Sequence, residues 1–220
     1  LSLLGEAASK IAHEVRNPLS SIRTAAEVLR DSLKGRLNPQ EDRMIQIVDG
    51  ESERLTQTLE GILSYARQVE LHQKRMPLEG LMERVLTLAR LNSGVQAEGI
   101  VVEKKYDLLK THVYADEEQM VGALLNLVLN AFQAMPKGGI FRIWGREDVK
   151  GTTIELEDSG GGIPQEKLKD LFSAFKSSKK GGTGLGLAEV QKIITLHEGK
   201  IGVKSHLGKG TVFRLFLPKP

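Results

Sequence analysis

The chain has 220 residues, 40% of them hydrophobic and 27% charged, enough apolar material for a buried core with an ordinary charge load. A net charge of +3, with lysines and arginines scattered along the chain, argues against a nucleic-acid partner despite a sequence pI near 9.0. There is no cysteine, which excludes disulfides and thiolate metal sites and fits a reducing compartment. No apolar run approaches the roughly 20 residues that cross a bilayer, and no signal peptide is visible. A cytoplasmic location is therefore expected. The chain starts at Leu1, not Met, and is expected to be a piece of a longer protein, whose membrane anchoring stays open.

Residues 1–34 read as one helix. Leu4, Ala8, Ile11, Val15, Leu19, Ile22, Ala26, Leu29 and Leu33 are spaced by fours and threes, a coiled-coil-like seam with one extra four at Val15–Leu19. Pro18 falls in that irregular step. It cannot donate to the Glu14 carbonyl and pushes against it, so a bend is expected just after His13. At about 100° per residue, His13 lies about 200° from Ile11 and Val15, facing away from the seam, and Asn17 lies one turn further on the same outward face. Glu14 is next to them at the edge. Residues 35–39 read as a turn. Residues 40–70 read as a second helix with apolar positions at Met44, Val48, Leu55, Ile62 and Val69. Two such helices form an antiparallel hairpin with uncovered apolar surface, and two copies would cover it as a four-helix bundle, so a homodimer is expected.

The heptads stop near residue 73, which sets the expected division: residues 1–73, a dimerisation hairpin, and 74–220, a second domain. Helices are expected at 79–91, 116–135 and 185–197. Strands are expected at 100–106, 111–114, 140–146, 152–157, 200–205 and 211–217. Tight turns between neighbouring strands imply a mixed sheet with helices on one face, an α+β two-layer sandwich. Most of the 23 glycines fall after Met135.

Several stretches carry chemistry. Asp158 ends a strand and is followed by Ser159, Gly160, Gly161, Gly162, Ile163 and Pro164. Taken alone this is either an ordinary strand-to-loop turn or a base-recognition site, in which a buried Asp158, accepting hydrogen bonds only, would select adenine, which offers an amino donor, over guanine, which offers a carbonyl oxygen in the same place. The glycines would let a purine approach the backbone. Gly181, Gly182, Thr183, Gly184, Leu185, Gly186 and Leu187 open a helix, where bare N–H groups and the dipole favour phosphate. Neither a P-loop ending nor the GxGxxG spacing is present. Gly208–Thr211 precedes a strand and reads as a hairpin turn. Asn126 and Asn130 lie one turn apart on an apolar helix. Either they pair with other buried polar groups, or they serve Mg²⁺ and phosphate through amide oxygens. The polar, cationic stretch 172–180 reads either as an exposed basic loop or as a lid in which Lys176 or Lys179 meets a terminal phosphate.

Together, and in this order, these pieces resemble the two-component sensor histidine kinases over essentially the whole chain. HEVRNP at 13–18 is similar to the phospho-acceptor motif, 126–131 to the asparagine motif and 158–162 to the adenine motif. Phe172 and Phe175 fit the phenylalanine motif, and 182–186 the second glycine motif. The run NLVLNAFQAMPKGG resembles the nitrogen-regulation subgroup. The resemblance implies a phosphotransfer hairpin followed by the ATP-binding fold shared with gyrase, Hsp90 and MutL. It implies that His13 attacks the γ-phosphate of ATP with Glu14 as acceptor or base, and that Asn130 ligates Mg²⁺ with Asn126 assisting. Asp158 would hold adenine beside Gly160 and Gly162, and the backbone of Gly182, Thr183, Gly184, Leu185 and Gly186 would hold phosphates. Arg16 is assigned to phosphate charge or to a partner surface. The related ATPases are expected to carry a water-activating glutamate where this chain has Asn126, so poor hydrolysis and transfer to His13 are expected instead. The implied partner is a response-regulator receiver domain, dephosphorylated with help from Asn17. A sensor domain upstream of this chain is also implied. The rival readings are an ATP-gated clamp of the same fold, a phosphatase-dominant protein and a non-catalytic dimeric scaffold.

Overall fold

The helical hairpin comes first. The computed structural model describes residues 2–66, 69–92, 98–106, 111–176 and 184–220, with side chains except at 2–13, 57, 64–66 and 106. Helix α1 (Ser2–Ser32) carries Pro18 in its interior, and α2 (Pro39–Ala66) closes a few residues earlier than expected. A capping box starts α2: the Asn38 side chain accepts the N–H groups of Gln40 and Glu41, each at 2.9 Å, and Glu41 accepts the Asn38 N–H at 2.9 Å. Pro39 takes the first helical position, where its missing N–H costs nothing. Arg16 reaches Glu60 at 3.6 Å and Arg23 reaches Asp49 at 3.4 Å, tying the two helices antiparallel.

The seam divides in two. Within the hairpin, Leu19 is 9% and Ala26 4% exposed, whereas Val15, Ile22 and Leu29, a heptad series beside them, stay open, Ile22 at 46%. On α2 the covered series runs through Ile45, Ser52 and Leu59, while the expected heptad positions Val48 and Leu55 are exposed. Each helix therefore presents one stripe to its hairpin partner and leaves a second apolar stripe open.

The chain forms two compact units, one of the residues up to Val69 together with Gly184 and Leu185, and a larger one beginning at Glu70, running to Lys176 and resuming at Gly186. The second opens with β1 (Gln73–Pro77), then α3 (Leu78–Leu91), β2 (Ile100–Tyr106), β3 (His112–Asp116) and α4 (Glu117–Gln133). It continues through β4 (Gly139–Glu147), β5 (Gly151–Asp158), the short α5 (Gln165–Leu168), α6 (Gly186–Leu196), β6 (Lys200–His206) and β7 (Gly210–Pro218). Strands β1 and β3 make a small antiparallel ladder. The main sheet has the order β2-β4-β5-β7-β6, parallel only at β2–β4, and is therefore mixed.

Amphipathic periodicity explains the layers. On α3, Leu78, Leu81, Met82, Val85, Leu86 and Ala89 fall at helical spacing and are all buried. They join the buried faces of α4 and α6 and the inward residues of three strands: Phe141 and Ile143, Ile154 and Leu156, Phe213 and Leu215. Phe132 meets Phe141 edge-on at 5.6 Å. The other sheet face is polar and internally paired. Arg142 bridges Glu103 at 2.9 Å and Glu157 at 3.2 Å, Arg214 meets Glu155 at 2.6 Å, and Lys105 lies 5.3 Å above the Trp144 ring.

Helix α6 ends in a Schellman-type cap, with Gly199 N–H donating to the Ile194 carbonyl at 2.8 Å. The residue that must turn left-handed there is Glu198, at φ 56°. A side chain in that conformation costs about 1–2 kcal/mol, part of which glycine returns as unfolded-chain entropy. Glu198→Gly is therefore expected to stabilise the chain by a few tenths to about 1 kcal/mol, read as a higher denaturant midpoint. A lower midpoint would show that the cap gains something from the glutamate.

Candidate functional site

The adenine-type carboxylate sits where β5 ends. Asp158 is 5% exposed, and its Oδ1 accepts the Gly160 N–H at 2.9 Å. Burial raises its pKa above the ordinary 3.8; the amides of Gly160 and Thr211 oppose the rise, and neighbouring Glu157 adds to it. The group is thus a buried acceptor that gains from a further donor.

Two glycines of the turn after it are required by the protein's own backbone. A β-carbon on Gly160 would lie 2.7 Å from the Ala134 carbonyl oxygen, and one on Gly162, which has φ +70°, would lie 2.1 Å from that of His206. The protein's own backbone therefore fills the space these two residues leave. Gly161 is the one of the three with open space at its β position. The turn is held by Gly208 N–H donating to the Gly161 carbonyl at 2.7 Å and Ile163 N–H donating to Ser205 Oγ at 2.8 Å. Gly208, at φ +76°, lies in the tight β6–β7 turn.

Asn126 and Asn130 are half-buried on α4. A β-carbon on Gly186, the first residue of α6, would come within 3.2 Å of Asn126 Oδ1. Glycine therefore keeps a gap between an amide oxygen and a helix start whose N–H groups lack intrahelical partners. Amide oxygens are hard donors of the kind Mg²⁺ takes, and a helix start suits phosphate, so these residues fit a Mg²⁺–nucleotide. Gly184, at φ +69°, and the buried Leu185 lead directly into that helix. Gly182, Thr183 and Lys179 lie outside the described residues. Lys176 is exposed and pairs with Asp170 at 2.7 Å. Phe172 packs edge-on against Phe213 at 6.4 Å, whereas Phe175 is exposed at φ 65°.

In the hairpin, His13 lies on α1, and its side chain is outside the described residues. Glu14 and Asn17 are exposed. Ser21 Oγ donates to the Asn17 carbonyl at 3.1 Å, leaving the Asn17 side chain out of that bond. Arg16, assigned from sequence to phosphate or partner, pairs with Glu60 on α2 at 3.6 Å.

One junction was not anticipated. Asp116 caps α4 by accepting the Gln119 N–H at 3.1 Å and also accepts the His72 N–H at 2.8 Å; its own N–H donates to His197 Nε2 at 2.9 Å. Burial pushes its pKa upward, but the amides of Gln119, His72 and Glu118 outweigh that and hold it below 3.8. An Asp before an apolar helix signals a cap; a partner 81 residues away leaves no local signal.

Residues 3–70 match the family model described as His Kinase A (phospho-acceptor) domain, and residues 115–220 match Histidine kinase-, DNA gyrase B-, and HSP90-like ATPase. A phospho-acceptor hairpin and an ATPase-type sandwich thus stand in one chain. The chain belongs to the histidine kinases. Sporulation kinase C of Bacillus subtilis (strain 168) is 33% identical over 219 residues, 99% of this chain and 50% of that protein. The signal transduction histidine-protein kinase AtoS of Escherichia coli (strain K12) is 35% identical over 220 residues, 99% of this chain and 35% of that protein. Among solved structures, the catalytic domain of histidine kinase ThkA is 31% identical with a TM-score of 0.59, covering 69% of this chain and 97% of that one. ThkA in complex with response regulator protein TrrA is 29% identical with a TM-score of 0.69, covering 100% of this chain and 63% of that one. The chain spans half or less of the curated relatives it matches. Among the described residues, no helix is long and apolar enough to cross a membrane.

Proposed function

We propose that this chain is the catalytic core of a two-component histidine kinase that moves the γ-phosphoryl group of ATP to His13 and then to an aspartate of a response-regulator receiver domain. The observation that carries the reading is the presence, in one chain, of a phospho-acceptor hairpin match at 3–70 and an ATPase-type match at 115–220. The neighbour ThkA, solved with the response regulator TrrA, supports the choice of partner.

His13 acts as the nucleophile. Its lone pair forms a P–N bond to the γ-phosphorus, the bond to the bridging oxygen breaks, and ADP leaves. Glu14 accepts the N–H of the other ring nitrogen and keeps the attacking nitrogen unprotonated. Asp158 takes the adenine amino group. Gly182, Thr183, Gly184, Leu185 and Gly186 lead the chain into the helix start that receives phosphates, with Lys176 or Lys179 at the terminal phosphate. Asn130, with Asn126 beside it, holds Mg²⁺, which when bound neutralises phosphate charge. An amide at Asn126 cannot take a proton from water, so transfer outruns hydrolysis.

The working unit is a homodimer. The open stripe of Val15, Ile22 and Leu29 on α1, with Val48 and Leu55 on α2, has the spacing of a second bundle interface. The domain division follows the same plan, with phosphotransfer in residues 1–73 and ATP binding in 74–220.

Following γ-labelled ATP tests the reading. Label should appear on the chain and then pass to a receiver domain. Steady phosphate release with no labelled protein would mark an ATPase clamp instead.

A further inference from the structure

The described part of the ATP-binding domain holds one buried histidine whose two nitrogens are both committed. His197 is 2% exposed and lies just past the end of α6. Its Nδ1 is 2.8 Å from the Ile193 carbonyl oxygen, which only accepts, so Nδ1 carries the proton. That leaves Nε2 as a lone pair, which accepts the Asp116 N–H at 2.9 Å. Asp116 is the cap of α4 and also accepts the His72 N–H at 2.8 Å, at the entry to this domain.

The bond therefore joins the end of α6 to the beginning of α4. These helices carry opposite sides of one gap: Asn126 lies on α4, and Gly186, at 3.2 Å from Asn126 Oδ1 by its would-be β-carbon, starts α6. Asp158 is on neither helix; it ends β5 and is held by Gly160. The turn held by Asp158 meets α4 at its far end, where the Ala134 carbonyl accepts the Gly161 N–H at 3.4 Å, whereas Asn126 lies between that end and Asp116, so a change in the α4–α6 register acts on the Asn126–Gly186 gap more than on the carboxylate.

We propose that His197 is a positioning residue, which through its bond to the Asp116 amide fixes α4 against α6 and sets the affinity for the phosphate part of the nucleotide more than for the adenine part. This rests on the reading above, in which Asp158 takes adenine and the α4–α6 gap takes Mg²⁺ and phosphate.

Two substitutions separate the bonds. In His197→Gln the side-chain oxygen replaces Nε2 as acceptor, while His197→Asn keeps a donor near Nδ1 and withdraws the acceptor from Asp116. The whole chain is titrated with Mg²⁺-ATP and, separately, with adenosine, with thermal midpoints recorded. The expected result is a loss of about tenfold in ATP affinity for His197→Asn, adenosine affinity within about twofold of wild type, and recovery of ATP affinity in His197→Gln. Equal losses for both ligands, or no loss of ATP affinity in a folded His197→Asn, would overturn the proposal. Should His197→Asn not fold, His197→Phe is read by the same criteria. If neither accumulates as folded protein, failure of His197→Gln to keep the wild-type ratio of ATP to adenosine affinity would overturn it. A wild-type chain that binds adenosine but gains nothing from the phosphates would overturn the underlying reading as well.

Discussion

Asp158→Ala is expected to lower ATP affinity about a hundredfold while the chain stays folded. The carboxylate is buried and accepts from Gly160, and burial raises its pKa because few donors replace the water it gave up. An adenine amino group supplies such a donor. A hydrogen bond to a charged group is worth about 1.5–3 kcal/mol, and the upper end of that range is about a hundredfold in affinity. Asp158→Asn gives a second reading. Its amide can donate to the guanine carbonyl, so the preference for ATP over GTP should shrink; an unchanged preference would remove Asp158 from base recognition.

The same residue gives a signed pH dependence without nucleotide. Its folded pKa lies above the unfolded value, so its contribution to stability is complete below 3.8 and is lost as pH rises through the folded value. The thermal midpoint of the wild type minus that of Asp158→Asn should therefore fall as pH rises from about 3.8 toward neutrality. A difference that grows over that window would contradict the assignment.

Asn17→Ala is expected to slow receiver dephosphorylation by about 10²-fold and to change autophosphorylation by less than about twofold. The side chain is exposed, and the local bond to Ser21 uses the Asn17 carbonyl, which alanine keeps. Alanine also favours the helix, so the fold should not suffer. What disappears is an amide one helical turn from His13, able to orient a water for attack on a phosphoaspartate, and losing one positioned hydrogen-bonding amide at a reaction centre typically costs about 10²–10³-fold. Comparing the two rates on one protein preparation tests this. Unchanged dephosphorylation would leave Asn17 with no part in it.

Most element limits were legible because the burial is periodic. The α3 series from Leu78 to Ala89 and the alternation in β5 and β7 appear directly in the sequence. Strand β1 was not. It has one buried residue, Met76, between exposed Lys74, Arg75 and Pro77, and exists because it pairs with β3 across nearly forty positions of chain. The hairpin stripes were read as one seam because sequence cannot say which of two adjacent heptad series faces the hairpin partner. At the candidate site, Asp158, Asn126 and Gly186 were legible as residue types in order. The reason for Gly160 and Gly162 was not, since it lies in the carbonyls of Ala134 and His206. The Asp116–His197 bond is likewise a purely tertiary fact.

The central claim is that phosphoryl groups from ATP come to rest on His13. The chain, beside His13→Ala, should be incubated with Mg²⁺ and γ-labelled ATP, and the labelled protein exposed to acid and to alkali. Label that is acid-labile, alkali-stable and absent from His13→Ala is the predicted result. ATP binding without label, or label that persists in His13→Ala, would contradict it.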